Sequence, residues 1–228
     1  MRSRHKLGIA VFAIMLAILL SSAAFAAPVP VDLTPGTPTT KGFFSSGLIG
    51  AQGGNATSLN ASTETQTVAW QGFYGEVIGD IRLGDNSCNK LYSWSLITEN
   101  GTVFASTDSS VEFSNIAGQE DCTIDEDMTG TGSDRVNKTF TNASIGRTIA
   151  GITIDAACRT YTYVNNASQN VSFEELILTD DGGNTSIYTT TIEDDKAGFN
   201  GGLHDYQIIV PETRNETTTT YYFYAELK

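Results

Sequence analysis

Histidine is almost missing from this chain, with two in 228 residues, His5 and His204. Imidazole-dependent triads and zinc centres need several converging ring nitrogens or thiolates. No Gly-x-Ser-x-Gly, His-Glu-x-x-His or Cys-x-x-Cys motif makes up the deficit, so the residues argue against an enzyme of either kind. Basic side chains are also scarce, 13 Lys and Arg against 26 Asp and Glu. A surface of that sign repels phosphate backbones and anionic lipid, which argues against nucleic acid as a partner. Cysteine is limited to Cys88, Cys122 and Cys158. Three thiols can make one disulfide and leave one over. Long apolar runs are lacking after Leu7 to Leu20, and the closing Tyr221 to Lys228 reads as a strand rather than an anchor.

That single apolar run follows Arg2, Arg4 and Lys6 and precedes Ala24-Phe25-Ala26. A basic stretch, an apolar core and an Ala-x-Ala site are the three parts of a secretory signal, with cleavage expected after Ala26. A retained anchor is the competing reading, but a spanning helix needs about 20 apolar residues and Pro28 and Pro30 stop this one from lengthening. The expected organisation is a signal peptide at 1–26, a Pro/Thr-rich arm or linker at 27–41 and a domain at 42–228. The signal takes three of the basic residues and none of the acidic ones, leaving a mature net charge of −16. The expectation is a secreted, extracellular protein at the cell surface, with no membrane insertion after cleavage.

An oxidising compartment favours a disulfide. Cys88 sits in the turn-like Gly84 to Asn89, whereas Cys158 ends an apolar strand candidate and Cys122 lies in a long acidic insertion before it. The expected bridge is therefore Cys122 to Cys158, closing a loop of about 35 residues and contributing about 3–4 kcal/mol. Cys88 is either buried and inert or an intermolecular partner.

Asparagine supplies a second sign of export. Nine of the 14 asparagines, Asn55, Asn60, Asn100, Asn137, Asn142, Asn166, Asn170, Asn184 and Asn215, open an Asn-x-Ser/Thr acceptor pattern. With Ser and Thr at 49 of 228 positions, chance would give about three. Polar turns also gather these residues for conformational reasons. The excess points to N-glycosylation, and abundant sequons on an acidic exported chain point to an archaeal or eukaryotic source, the archaeal one favoured.

Period-two alternation begins at Trp70. Val77 to Leu83, Tyr92 to Leu96 and Val103 to Ala105 alternate, and Asn100-Gly101 is a strong hairpin signal. The pattern predicts a three-strand meander over Phe73 to Ser106. Further strands are expected at 147–155, 160–164, 171–179, 186–192, 205–210 and 218–227, with Asp180 to Gly183 as a hairpin turn. Only Glu120 to Met128 suits a short helix. Short, evenly spaced strands predict an all-β fold, a β-sandwich with jelly-roll-like connections as a variant and one long acidic insertion. The block Trp70-Gln71-Gly72-Phe73-Tyr74-Gly75-Glu76-Val77, with Val210-Pro211-Glu212 and Tyr221 to Tyr224, resembles a group of uncharacterised secreted archaeal cell-surface proteins. The resemblance implies a cell-surface setting and carries no known activity.

Three candidate sites remain. Asp125, Asp127, Thr129 and Asp134 place oxygen donors around Gly130 like the start of a Ca2+ loop, although Val136 stands where a bidentate Glu belongs in an EF-hand. Trp70, Tyr92 and Trp94 are a candidate stacking platform for glycans; the competing reading puts them, with Phe73 and Tyr74, in the core. Glu174-Glu175 and Glu193-Asp194-Asp195 are carboxylate doublets, but adjacent strand residues face opposite ways and make no catalytic pair. Solvated acids in turns are the expected account of them, and a turn position that of His204. The function expected is a glycosylated structural or interaction protein that adheres to or assembles with other surface proteins or copies of itself. The alternatives are a carbohydrate- or Ca2+-dependent binding module and, behind it, a carboxylate-based hydrolase.

Overall fold

β-branched and aromatic residues dominate the strands, and period-two alternation sets their faces. The computed structural model describes residues 27–39, 47–87, 89–95, 100–123, 132–180, 185–212 and 218–228. Its strands are β1 (Val29–Pro30), β2 (Trp70–Gly75), β3 (Asp80–Gly84), β4 (Lys90–Ser95), β5 (Asn100–Ser106), β6 (Ala117–Gly118), β7 (Thr141–Ile149), β8 (Ile152–Val164), β9 (Ser168–Asp180), β10 (Thr185–Glu193), β11 (Lys196–Ala197), β12 (Leu203–His204), β13 (Tyr206–Pro211) and β14 (Tyr222–Leu227). An eight-stranded antiparallel sheet has the order β1-β14-β5-β10-β9-β8-β7, with β6 beside β9. β13 and β2 form a separate ribbon, β3 and β4 a hairpin, β11 and β12 a short pair. The fold is all-β and sandwich-like. Its large sheet runs mainly as a meander, unlike the paired four-stranded sheets of a jelly roll.

Both faces of the large sheet are covered. On one, Val103, Ile177, Tyr188 and Phe223 pack with Ile208 and Val210 of the β2–β13 ribbon, with Val136 of the helical turn Val136–Thr139 and with Phe140, which caps that turn. Phe73 meets Phe223 edge-on, ring centroids 5.3 Å apart. On the other, Phe104, Leu176, Leu178, Ile187 and Tyr224 pack with Ile149 and Ile154, and Phe113 from the insertion lies against both Phe104 and Tyr224. β9 is therefore central, and its Leu176-Ile177-Leu178 run is wholly buried, as a strand covered on both sides requires. Each such side chain contributes about 1.5–3 kcal/mol.

The second face is closed by a strand that leaves the sheet. β8 pairs with β9 only from Cys158 onward; its first half pairs with β7 and folds over. β6 fills the vacated place, Ala117 opposite Thr179 and Gly118 opposite Leu178, while Gln119 donates to the Ile177 carbonyl and accepts from Cys158 N–H. Only glycine fits at position 118, because a Cβ there would strike the Ala156 carbonyl oxygen. The tip of the β7–β8 hairpin reaches the opposite side of the sheet. Ala150 N–H donates to Glu226 Oε2 at 3.1 Å and Lys228 Nζ to the Thr148 carbonyl at 3.1 Å.

Of the meander expected over Phe73 to Ser106, only its first hairpin forms, β3 with β4. β2 pairs with β13 instead, and β5, which starts at Asn100-Gly101, lies between β10 and β14. The expected strand at 147–155 is broken by the β7–β8 turn, where Ala150 and Gly151 both have positive φ. Glu120 to Thr123, the described part of the expected helix, is not helical. Part of the Pro/Thr-rich arm joins the fold: Val29 pairs with Ala225 and Pro30 with Tyr224, and Val31 packs on the first core face. Residues 1–26 lie outside the described residues.

Candidate functional site

The three aromatic residues of the expected platform are not one surface. Tyr92 and Trp94 lie on β4 with ring centroids 4.7 Å apart. Opposite them in register stand Leu83 and Ile81 of β3. Cross-strand pairs share a face, so four large apolar side chains lie together, and each is roughly half exposed. The core reading thus fails for Tyr92 and Trp94. Among the described residues β3 and β4 pair only with each other. The Asp85 carboxylate organises the turn, accepting from Ser87 N–H at 3.0 Å, Asn89 N–H at 2.9 Å and Asn89 Nδ2 at 2.8 Å. These bonds, the Asn89 side chain first, hold its pKa below the usual value.

Trp70 belongs partly to the first core face. Its Nε1 donates to the Asp134 carbonyl at 2.6 Å and its ring lies 5.9 Å from that of Phe140. The opposite side of Trp70 borders a groove shared with Tyr74. Beside this groove, the carboxylates read as solvated acids divide. Glu174 pairs with Arg147 at 2.8 Å and Arg159 at 3.4 Å. Glu175, on the other face of β9, is 1% exposed and accepts from Ile209 N–H at 3.0 Å. Burial raises its pKa well above the ordinary value, and the Ile209 bond opposes the shift. The acid is buried because β13 crosses over β9, a contact between segments far apart in sequence. His204 lies in β12 with Nε2 3.0 Å from Asn200 Oδ1, and its ring packs on Tyr74. Asp205 secures backbone, accepting from Val77 and Asp195 N–H groups.

Asn55, Asn60, Asn100, Asn137, Asn142, Asn166 and Asn170 are all exposed. Asn100, Asn142 and Asn170 sit in strands rather than turns, and Asn184 and Asn215 lie outside the described residues. No sequon falls between Asn60 and Asn100, the stretch that holds the apolar hairpin. The expected Cys122–Cys158 disulfide is present, Cα atoms 5.6 Å apart, and joins the insertion to β8 where β8 separates from β9. Cys88 lies outside the described residues, as do Asp125, Asp127 and Thr129 of the candidate Ca2+ loop. Asp134 Oδ2 accepts from Thr67 Oγ1 at 2.7 Å; among the described residues no group of three or more His, Cys, Asp or Glu is arranged to hold a metal. Comparisons with protein-family models, curated proteins and solved structures return no match, so the geometry carries the functional reading.

Proposed function

We propose that this chain is an exported, N-glycosylated cell-surface protein that assembles with copies of itself through the apolar face of the β3–β4 hairpin. The observation that carries this reading is the coplanar set Ile81, Leu83, Tyr92 and Trp94, each 46–58% exposed. A two-stranded hairpin is marginal alone, and a third strand or a covering layer is what stabilises it. Exposed apolar faces of this sort mark interaction surfaces. Charge favours a second copy as that cover. Asp80, Arg82, Asp85 and Lys90 balance on the hairpin, in a chain with net charge −13. Face-to-face pairing there avoids the like-charge repulsion that two copies meet elsewhere.

The signal-like first 26 residues, the disulfide and the exposed sequon asparagines support export, and the sequon-free hairpin would stay clear of glycans. Sedimentation of host-purified protein checks the assembly. The native chain is expected to self-associate, and Trp94→Asp to be monomeric, with the melting temperature that the native chain approaches on dilution. A monomeric native protein, or a Trp94→Asp variant that assembles as before, would count against the reading. Intact mass of the same material is expected to show loss of residues 1–26 and added glycan; an unmodified chain starting at Met1 would refute export.

A further inference from the structure

Between the β2–β13 ribbon and the outer half of β8 runs a groove of about 550 Å3, within the size range of small-molecule and oligomer sites. Trp70 and Tyr74 stand on one side and Thr160 to Tyr163 of β8 on the other, with Phe199, Gln66 and Gln169 also lining it. It is separate from the hairpin face.

Charge is the first clue to its occupant. None of the lining residues is ionisable as a carboxylate, amine or guanidinium, although the chain as a whole carries a net charge of −13. A charged ligand would lose hydration without gaining a counter-charge. A neutral one avoids that cost.

Gly72 is the second. Residues 70, 72 and 74 share one strand face, which sets Trp70 and Tyr74 about 13 Å apart along the strand. A Cβ at Gly72 would meet only Ile209 Cγ2, at 4.0 Å, so packing does not demand glycine there. Glycine inside a strand weakens it and marks places where a ligand approaches the backbone. Here it leaves an open floor between two aromatic rings.

Hydrogen bonding is the third. The side-chain amides of Gln66 and Gln169 have no partner among the described residues. Gln207 is engaged instead in holding the groove together: Nε2 donates to Thr162 Oγ1 at 2.7 Å and to the Tyr163 carbonyl at 3.1 Å, and Oε1 accepts from Phe199 N–H at 2.6 Å. Free amides both donate and accept, which matches the hydroxyl groups of sugars. Aromatic faces supply the apolar complement. The two rings are held before any ligand arrives, Trp70 by Asp134 and Phe140, Tyr74 by Phe199 and His204.

We infer that this groove binds a neutral oligosaccharide. Trp70 and Tyr74 stack on two of its rings, Gly72 leaves room for the ring between them, and Gln66 and Gln169 take its hydroxyls.

The chain has two tryptophans, so in a Trp94→Phe background Trp70 is the only indole reporter. That protein is titrated with cellohexaose, mannohexaose and chitohexaose, with a galacturonate hexamer and a proline-rich decapeptide as comparisons. One neutral hexasaccharide is expected to shift Trp70 emission saturably, while the galacturonate and the peptide do not. Gly72→Leu, which fills the floor, and Tyr74→Ala, which removes a ring, are each expected to weaken binding about tenfold or more, with little change in melting temperature. The inference is overturned if none of the three neutral sugars perturbs Trp70 at millimolar concentration. It is equally overturned if both variants bind like the parent, or if the galacturonate or the peptide binds in preference.

Discussion

Replacing Cys122 and Cys158 together by alanine is expected to lower the free energy of unfolding by about 3–4 kcal/mol. The bridge spans 36 residues, and loop closure of that length removes this much freedom from the unfolded chain. A typical domain holds about 5–15 kcal/mol in all, so a large share of the stability would go. The local structure suggests the order of failure. Cys158 stands where β8 leaves β9, and its N–H donates to Gln119 next to the β6 wedge. Without the bridge, the insertion loses its covalent hold on that junction. Urea unfolding of the double variant, beside the parent with and without reductant, measures the effect. The variant and the reduced parent should agree, and both should show a steeper dependence on urea, because an uncrosslinked unfolded chain exposes more surface. A loss below about 1 kcal/mol would mean that the unfolded chain is already compact around this loop.

What the sequence made legible was local. β9, β10 and β13 could be found because their alternation is strong and they are bounded by turn residues. The disulfide could be found because only one of the three cysteines sits in a turn-like segment. Pairing over distance could not be read. β2 pairs with β13, and nothing in Trp70 to Gly75 names that partner. Asn100-Gly101 misled for a related reason. A Cβ on Gly101 would collide with the Glu226 carbonyl, so this glycine serves the close approach of β14 to β5 and makes no hairpin turn. A sequence does not distinguish those two uses of glycine.

The candidate sites divide in the same way. Alternation placed Tyr92 and Trp94 on one apolar face, but whether anything covers that face is a tertiary fact. Trp70 to Gly75 was conspicuous in composition, yet the groove exists only because β8 runs opposite. Glu174 and Glu175 looked alike as a doublet. What separates them is β13, which covers one and leaves the other to Arg147 and Arg159.

That cover gives Glu175 a pH signature. Register places Thr160 of β8 and Thr190 of β10 beside it, Ile209 N–H binds Oε2, and Oε1 has no hydrogen bond among the described residues. Among the described residues no cation stands against it to offset its burial. Its folded pKa therefore lies well above the ordinary glutamate value. Between the unfolded and folded values the native state holds a proton that the unfolded state has lost, so stability falls as pH rises through that window, by up to about 1.4 kcal/mol per pH unit. The contribution is fully present below the unfolded value and gone above the folded one. Glu175→Gln keeps an acceptor for Ile209 and cannot ionise. Its urea midpoint is expected to match the parent near about pH 4 and to exceed it increasingly toward about pH 8. Parallel curves for the two proteins across that range would show that Glu175 ionises in the folded state as readily as in the unfolded one, and that β13 does not shield it from water.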